Sequence, residues 1–275
     1  MRPTTDDSLL HTLLREATAA LEEGQFEEAE ATCRRALVLD PRNAEVCLLL
    51  GQALREQDRL GEAEGAYRAA VLSRPDLADA WAGLAGVMCE QLRWDESRRA
   101  ANRALREDPG HPEAAWIRGV LRERRGDNAG AQRDYLRAWR SDPQTFPLPV
   151  PLDDETVEQV VGECLVQLHP TLREYLANVP VILEELPSDE QLQHYDPPAS
   201  PTGLLGYFSG SSLMERSLHD PWSNLPSAIV IFRRNLERFA HDHEQLVDEL
   251  RVTLFHEVGH FLGLDEDDLE ERGID

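Results

Sequence analysis

The sequence predicts two domains: an all-α solenoid of about eight helices, followed by a small α+β domain with a histidine motif on its last long helix. Three observations lead to this prediction. Prolines recur at a fixed interval in the first half of the chain, a proline-rich break follows, and short β-branched runs stand between helical patterns in the second half.

The first half of the chain is periodic. Its marker is a proline every 34 residues, at Pro41, Pro75, Pro109 and Pro143. Aligning the copies on these prolines stacks small residues in two columns, namely Ala29, Ala63, Ser97 and Ala131, and Ala36, Ala70, Ala104 and Ala138. Small residues let antiparallel helices approach closely, so each copy is predicted to be a pair of packed helices.

This pattern resembles four tetratricopeptide repeats over residues 10–143. The resemblance implies repeats that bury their apolar faces only against their neighbours, and a concave groove that binds a peptide or a partner helix. The fourth copy departs from the pattern, because Asn128 replaces an aromatic residue and Arg118 and Arg122 occupy positions that are usually apolar. The alternative is that the repeats only support the second domain or form a dimer.

Residues 144–152 contain three closely spaced prolines, in "QTFPLPVPLDDE", and are predicted to be a semi-rigid linker. Residues 153–275 then form the second domain. It is predicted to begin with the helix in "DDETVEQVVGECLVQLHP" and to contain three strands, in "VPVILEEL", "TGLLGYFSG" and "SAIVIFRR".

The final helix is predicted to begin at Asp242, with Gln245 completing a loose capping box. Its buried face is predicted to carry Leu246, Leu250, Leu254 and Val258. This helix carries the motif "HEVGH".

Composition excludes several classes of protein. Residues 1–149 hold 21 Arg and 26 acidic residues, a net charge of −5, whereas residues 150–275 hold 7 Arg and 26 acidic residues, a net charge of −19. Such a chain repels nucleic acid and anionic membranes, so neither is an expected partner. Four scattered cysteines without a CxxC pair, and a polar, acidic opening segment, predict reduced thiols and a cytoplasmic location. All 28 basic residues are Arg, which is typical of a GC-rich bacterial genome.

The spacing of His256, Glu257 and His260 suits zinc chemistry. Histidines at i and i+4 on a helix differ by about 40° of rotation and about 6 Å of rise, so both imidazoles reach one ion. Glu257 is turned about 100° from His256, which places it outside the ligand shell but near a metal-bound water. Zinc lowers the pKa of such a water to about 7, and a neighbouring carboxylate takes its proton during attack on a carbonyl.

A catalytic zinc site needs a third protein ligand, and the acids after His260 are the candidates. On a continuous helix Glu266 would lie about 9 Å along the axis from His260, too far to share an ion. Gly263 is where the chain can turn left-handed and end the helix. After such a turn Glu266 or, failing it, Asp265 reaches the ion.

The stretch "HEVGHFLGLDEDDLEERGI", with "LPSAIVIFRRNLERF" and "GYFSGSSLMERS" before it, resembles the bacterial zincin-like metallopeptidases, which are small metzincin-like domains. Their pattern is HExxHxxGxxD. The resemblance implies His256, His260 and Glu266 as zinc ligands, with Glu257 as the general base. Two departures are Glu266, where Asp is usual, and Phe261, where a further histidine is frequent.

Other candidates are weaker. His241 and His243 are expected to be exposed neighbours of the helix cap, and Tyr207 and Arg216 are candidates for the substrate cleft, with a strand-packed ring as the alternative for Tyr207. The sequence thus predicts a zinc-dependent peptidase whose repeats dock a protein partner or substrate. The alternative is an adaptor whose zincin-like domain binds metal without proteolysis.

Overall fold

The computed structural model of the chain describes residues 5–176, 178–195, 197–212 and 227–264. Contacts within the chain divide it into two compact units, Met1–Phe146 and Pro147–Asp275. Each unit has a hydrophobic core of its own. The predicted fold class, a helical repeat region followed by a small α+β domain, is confirmed.

The first unit is all-α, with eight helices in its described residues. They are α1 (Thr5–Glu22), α2 (Phe26–Leu39), α3 (Ala44–Glu56), α4 (Leu60–Ser73), α5 (Ala78–Glu90), α6 (Trp94–Glu107), α7 (Pro112–Glu123) and α8 (Asn128–Ser141). The even-numbered helices begin 34 residues apart. The period of the sequence is therefore also the period of the structure.

Small residues lie where the helices of the first unit touch. Every member of the two predicted columns is almost fully buried. Tyr67 of α4 fills the space over two glycines, since a Cβ added at Gly51 or Gly83 would lie within 2.8 Å of its ring. Because these glycines have no side chain, α3 and α5 can pack directly against the tyrosine ring.

The unusual arginines of the fourth repeat have an internal partner. Arg118 binds Asp134 of α8 through two nitrogens, at 2.8 and 2.6 Å, and Arg122 lies 3.0 Å from the same carboxylate. Asp134 is only 2% exposed. The departure from the repeat pattern thus replaces apolar packing between α7 and α8 with a buried ion-pair cluster.

The second unit is α+β. Its elements are α9 (Asp154–Gln167), α10 (Pro170–Leu176), β1 (Val181–Glu184), α11 (Asp189–Leu192), β2 (Gly206–Ser209), β3 (Ala228–Phe232), α12 (Arg233–Phe239) and α13 (His243–Leu262). The strand order is β1-β3-β2, with β1 parallel and β2 antiparallel to β3. All three predicted strands are thus present in one sheet.

The core of the second unit forms around α13. The four apolar residues predicted for its buried face are at most 9% exposed, and they share a cluster with residues of α9, β3 and α12. The end of the proline-rich stretch belongs to this unit too, because the backbone N–H groups of Val150 and Leu152 donate to Glu237. Those residues are therefore part of the folded unit, although the sequence suggests a linker there.

In the part of the chain that the structure describes, no helix combines the length and apolar character needed to span a membrane.

Candidate metal centre

The motif helix α13 has Asp242 as its N-cap, as predicted, but Gln245 bonds to the residue before the N-cap and so does not complete a capping box. The Asp242 carboxylate accepts the backbone N–H of Gln245 at 2.9 Å, and the Gln245 side chain accepts the backbone N–H of His241 at 2.8 Å. These bonds satisfy N–H groups that have no partner within the helix. The cap fixes where the helix starts, and the motif then falls on its last two turns.

The rings of His256 and His260 are adjacent. Their Nε2 atoms are 3.1 Å apart, and the ring centroids are 4.7 Å apart with the planes inclined by 80°. Both side chains are partly exposed. The i, i+4 spacing therefore brings two potential ligand atoms to one point on the surface of the helix.

The helix ends at the predicted glycine. Gly263 has φ +91° and ψ 19°, its N–H donates to His260, and the N–H of Leu264 donates to Gly259. These two bonds make the reversal known as a Schellman motif. The chain therefore turns back toward the histidines at the point where the sequence requires it to.

This reversal also orients His260. The carbonyl oxygen of Leu264 lies 3.1 Å from Nδ1 of the His260 ring. A carbonyl can only accept, so Nδ1 is the donor in this contact, which leaves Nε2 of a neutral ring with its lone pair. Such a partner on the other ring nitrogen is typical of metal-binding histidines. The sequence gives no sign of this contact, because any residue has a carbonyl.

The Glu257 side chain is 5% exposed and lies on the buried side of α13. It follows His256 directly, so the helix turns it about 100° away from that ring. The side chain is therefore largely enclosed by protein, on the same turn of the helix as His256.

The histidine pair fits zinc. Two nitrogens bound to one zinc ion at about 2.0–2.1 Å, in a tetrahedral arrangement, lie about 3.3 Å apart. The observed separation of 3.1 Å between the Nε2 atoms is close to this. Imidazole nitrogen is a preferred zinc ligand, and the tautomer set by Leu264 presents the correct atom at His260.

Both candidates for a third ligand, Glu266 and Asp265, lie outside the described residues. Within the described ranges, no three His, Cys, Asp or Glu side chains are grouped to bind one ion. Leu264 is the last residue that the structure describes before these two acids, and its carbonyl contacts the His260 ring.

Strand β2 packs closely on the motif helix. A Cβ at Gly206 would lie 2.7 Å from the Thr253 methyl group of α13, and the Phe208 ring is 5.8 Å from the Phe261 ring. Phe261 is fully buried and serves the core. The close approach of β2 to α13 at Gly206 is a second feature that the sequence does not predict. The sequence shows only a glycine at the start of a strand.

Tyr207 and His241, two of the weaker candidates, contact other residues. Tyr207 stacks on Phe232 with ring planes 6° apart, as expected for a strand-packed aromatic residue. His241 and His243 are exposed, and the His241 ring contacts Gln245 of the cap. Arg216 lies outside the described residues.

An apolar cavity of about 320 Å³ in the second unit is separate from the histidines. It is lined by residues of α9, α10, β1 and β3, and by Leu254, Phe255 and Val258 of α13, but by neither histidine; of these three, Leu254 and Val258 lie farthest around the helix from His256. Each of these two residues is about 160° around the helix from His256. The cavity is therefore not part of the candidate metal centre.

Comparisons with known families agree with the two resemblances. Family models for tetratricopeptide repeats match residues 20–77 and 90–145, and a model for zincin-like metallopeptidases matches residues 176–274. The predicted order, with repeats first and the zincin-like domain second, is confirmed. No protein with a curated description matches the chain.

Several solved structures are similar at low identity. PilF of Pseudomonas aeruginosa is 20% identical, with a TM-score of 0.47, over 58% of this chain and 71% of that one. MamA is 24% identical, with a TM-score of 0.43, over 50% and 80%. YrrB, described as a repeat protein with an unusual peptide-binding site, is 19% identical, with a TM-score of 0.40, over 46% and 66%. Similarity at this level implies nothing about function.

Proposed function

We propose that this chain, in which tetratricopeptide repeats precede a zincin-like metallopeptidase domain, is a zinc-dependent peptidase whose repeats dock a protein partner or substrate. The observation that carries the proposal is the convergence of the His256 and His260 Nε2 atoms, 3.1 Å apart, with Glu257 on the same turn of α13. Glu257 is dispensable for holding an ion but essential for hydrolysis, and it is intact.

His256 and His260 would hold the zinc ion through their Nε2 atoms, with Glu266 or Asp265 as the third ligand. Zinc supplies Lewis acidity, which polarises the scissile carbonyl and lowers the pKa of a bound water. The Leu264 carbonyl holds the proton of His260 at Nδ1 and so keeps the Nε2 lone pair directed at the site.

Glu257 acts as the general base and then as the general acid. Its carboxylate takes a proton from the attacking water and returns it to the amine nitrogen of the leaving group.

Strand β2 is suited to hold an extended substrate. Within the described residues it pairs with β3 on one side and is an edge of the sheet on the other. An added peptide strand satisfies its own backbone groups on such an edge. Because β2 packs on α13, a peptide held there would lie near the motif helix.

The test combines metal content with turnover. Purified protein is expected to contain one zinc ion per chain, and Glu257→Gln is expected to keep the zinc and lose peptide cleavage by at least about a hundredfold. Glu244→Gln, at the exposed first turn of α13, makes the same chemical change and serves as the matched control. Protein that binds no zinc, or a Glu257→Gln variant that cleaves at the wild-type rate, would contradict the proposal.

The proposed docking surface for the substrate is the inner face of the repeats, formed by α1, α3, α5 and α7, in which each helix contacts the next. Arg55 of α3 and Glu113 of α7 form a 2.6 Å ion pair that passes close to Gly86 of α5. Arg55→Glu should slow cleavage of a protein substrate but leave cleavage of a short peptide unchanged. Equal effects on both substrates would argue against docking at this face.

A metal-binding adaptor is the second candidate, and the burial of Glu257 favours it. Glu257 is 5% exposed, and a buried side chain has limited access to a metal-bound water. Stoichiometric zinc, without cleavage of any peptide or of a repeat-bound protein, would support this function and refute the peptidase.

A further inference from the structure

The outer side of the repeat unit carries a groove between α4 and α6, with α5 as its floor. We call it the outer groove. Its volume is about 640 Å³. It differs from the inner face, because the even-numbered helices line it and α5 contributes the apolar positions that pack toward them.

The groove has an apolar strip that is held in place. Leu72 on the α4 wall is 84% exposed, and Val71 lies next to it. On the floor, the Trp81 indole N–H donates to the Pro75 carbonyl at 2.9 Å, and the Arg103 guanidinium lies 6.0 Å from the ring centre. Trp81 is thus a fixed ring with its polar atom already satisfied, as anchor residues at interfaces are.

The walls of the groove are strongly basic. Four arginines, Arg68, Arg99, Arg103 and Arg106, line it together with one carboxylate, that of Glu96. Arg68 and Arg103 are paired with Glu64 and Glu107 of their own helices, at 2.7 and 2.8 Å. Arg99 and Arg106 are exposed and form no ion pair with the described residues, so they carry the positive charge that is available to a ligand. In a chain of net charge −24, this local excess of positive charge attracts acidic groups.

The next repeat shows that arginine alone does not make such a groove. The three α6 arginines have counterparts 34 residues later on α8, namely Arg133, Arg137 and Arg140. There, however, the floor positions of Leu84 and Met88 are taken by Arg118 and Arg122, which are neutralised by the buried Asp134. Apolar floor and basic walls thus occur together between α4 and α6.

We propose that the outer groove binds an acidic amphipathic peptide segment of another protein. Its apolar side chains pack on Trp81 and Leu72, and its carboxylates pair with the arginines of the walls. The apolar strip and the net negative charge of the chain favour a peptide over a nucleic acid, whose affinity depends on phosphate contacts. This surface uses none of the side chains named for the metal centre or for the inner face.

The probe is a fluorescein-labelled helical peptide of about 15 residues, with Leu at i, i+3 and i+4 spacing and Glu elsewhere. Anisotropy titration of the full-length protein should show binding that weakens several-fold between about 50 and 200 mM salt. Peptides with Gln or Lys in place of Glu should bind at least about tenfold more weakly.

Variants at equivalent positions of different repeats test whether the peptide binds in the outer groove. The double variant Arg99→Glu with Arg106→Glu should weaken binding at least about tenfold, and Arg133→Glu with Arg140→Glu less than about twofold. Leu72→Asp should also weaken it, whereas Val38→Asp, in the same column of α2 and 82% exposed, should not.

Four results would overturn the proposal: no binding, equal binding of the Gln peptide, equal loss in both arginine pairs, or displacement of the peptide by a single-stranded oligonucleotide that binds more tightly.

Discussion

The contact between β2 and the motif helix allows a quantitative test. Adding a methyl group at Gly206 would place its carbon 2.7 Å from the Thr253 methyl carbon and 3.1 Å from the Val230 carbonyl oxygen. Carbon atoms normally pack about 3.5–4.0 Å apart, so Gly206→Ala requires β2 and α13 to separate by about 1 Å. The backbone of Gly206 does not have a positive φ, so the strain comes from packing alone.

The expected loss of stability follows from two opposing effects. Overpacking of a core contact costs about 1–3 kcal/mol, and replacing Gly with Ala recovers about 0.4–1 kcal/mol of unfolded-state entropy. Gly206→Ala should therefore lower the free energy of opening of the second unit by about 1–2 kcal/mol. Amides of β3 should then exchange with deuterium about 5 to 30 times faster.

A second substitution identifies the cause. Thr253→Ser removes the clashing methyl group and, by itself, costs about 1 kcal/mol for the lost buried carbon. In the double variant the methyl group added at residue 206 has room. The double variant should therefore be more stable, by about 1 kcal/mol or more, than the sum of the two single losses predicts. Gly162→Ala on α9 is the control, because nothing lies within 4 Å of its added carbon. The reasoning would be refuted if the β3 amides of Gly206→Ala exchanged at the wild-type rate. It would also be refuted if the stability losses of the two single variants simply added in the double variant.

Three further predictions concern the ion-pair cluster, the thiols and the third ligand. Asp134→Asn should lower the free energy of unfolding of the repeat unit by about 3–5 kcal/mol, because it leaves two arginines without their buried partner. The measurement is urea unfolding followed by tryptophan fluorescence. Asp95→Asn, at an exposed ion pair, is the control and should have little effect. Burial raises the pKa of Cys33 to about 12, with smaller contributions from nearby groups, so at pH 8 the native chain should react with a thiol reagent at less than one site, against four after unfolding. Glu266→Gln should weaken zinc binding by at least about a hundredfold in competition with a chelator, whereas Asp265→Asn should change it less than threefold; the opposite order would assign the ligand to Asp265.

Local pattern predicted most of the secondary structure correctly. The 34-residue period led to eight helices, and the β-branched runs led to three strands, because burial of one face imposes a fixed spacing on helices and strands. The cap at Asp242 and the left-handed turn at Gly263 were predictable for the same reason: they depend on residues only a few positions apart.

Contacts between distant residues were not predictable in this way. The sequence pattern marked Arg118 and Arg122 as irregular but did not identify Asp134 as their partner. It also indicated a linker where Leu152 is in fact bonded to Glu237, 85 residues away. No local preference encodes such a pairing.

The sequence by itself determined that two histidines and a glutamate share the end of one helix, and that a glycine ends this helix, because helix geometry follows from spacing alone. Only the tertiary structure decided that the Leu264 carbonyl fixes the His260 tautomer, that β2 lies against Thr253, and that the outer groove combines a tryptophan floor with arginine walls. These features arise where separate elements meet, and the position of one element on another is set by packing of the whole unit rather than by any short stretch of chain.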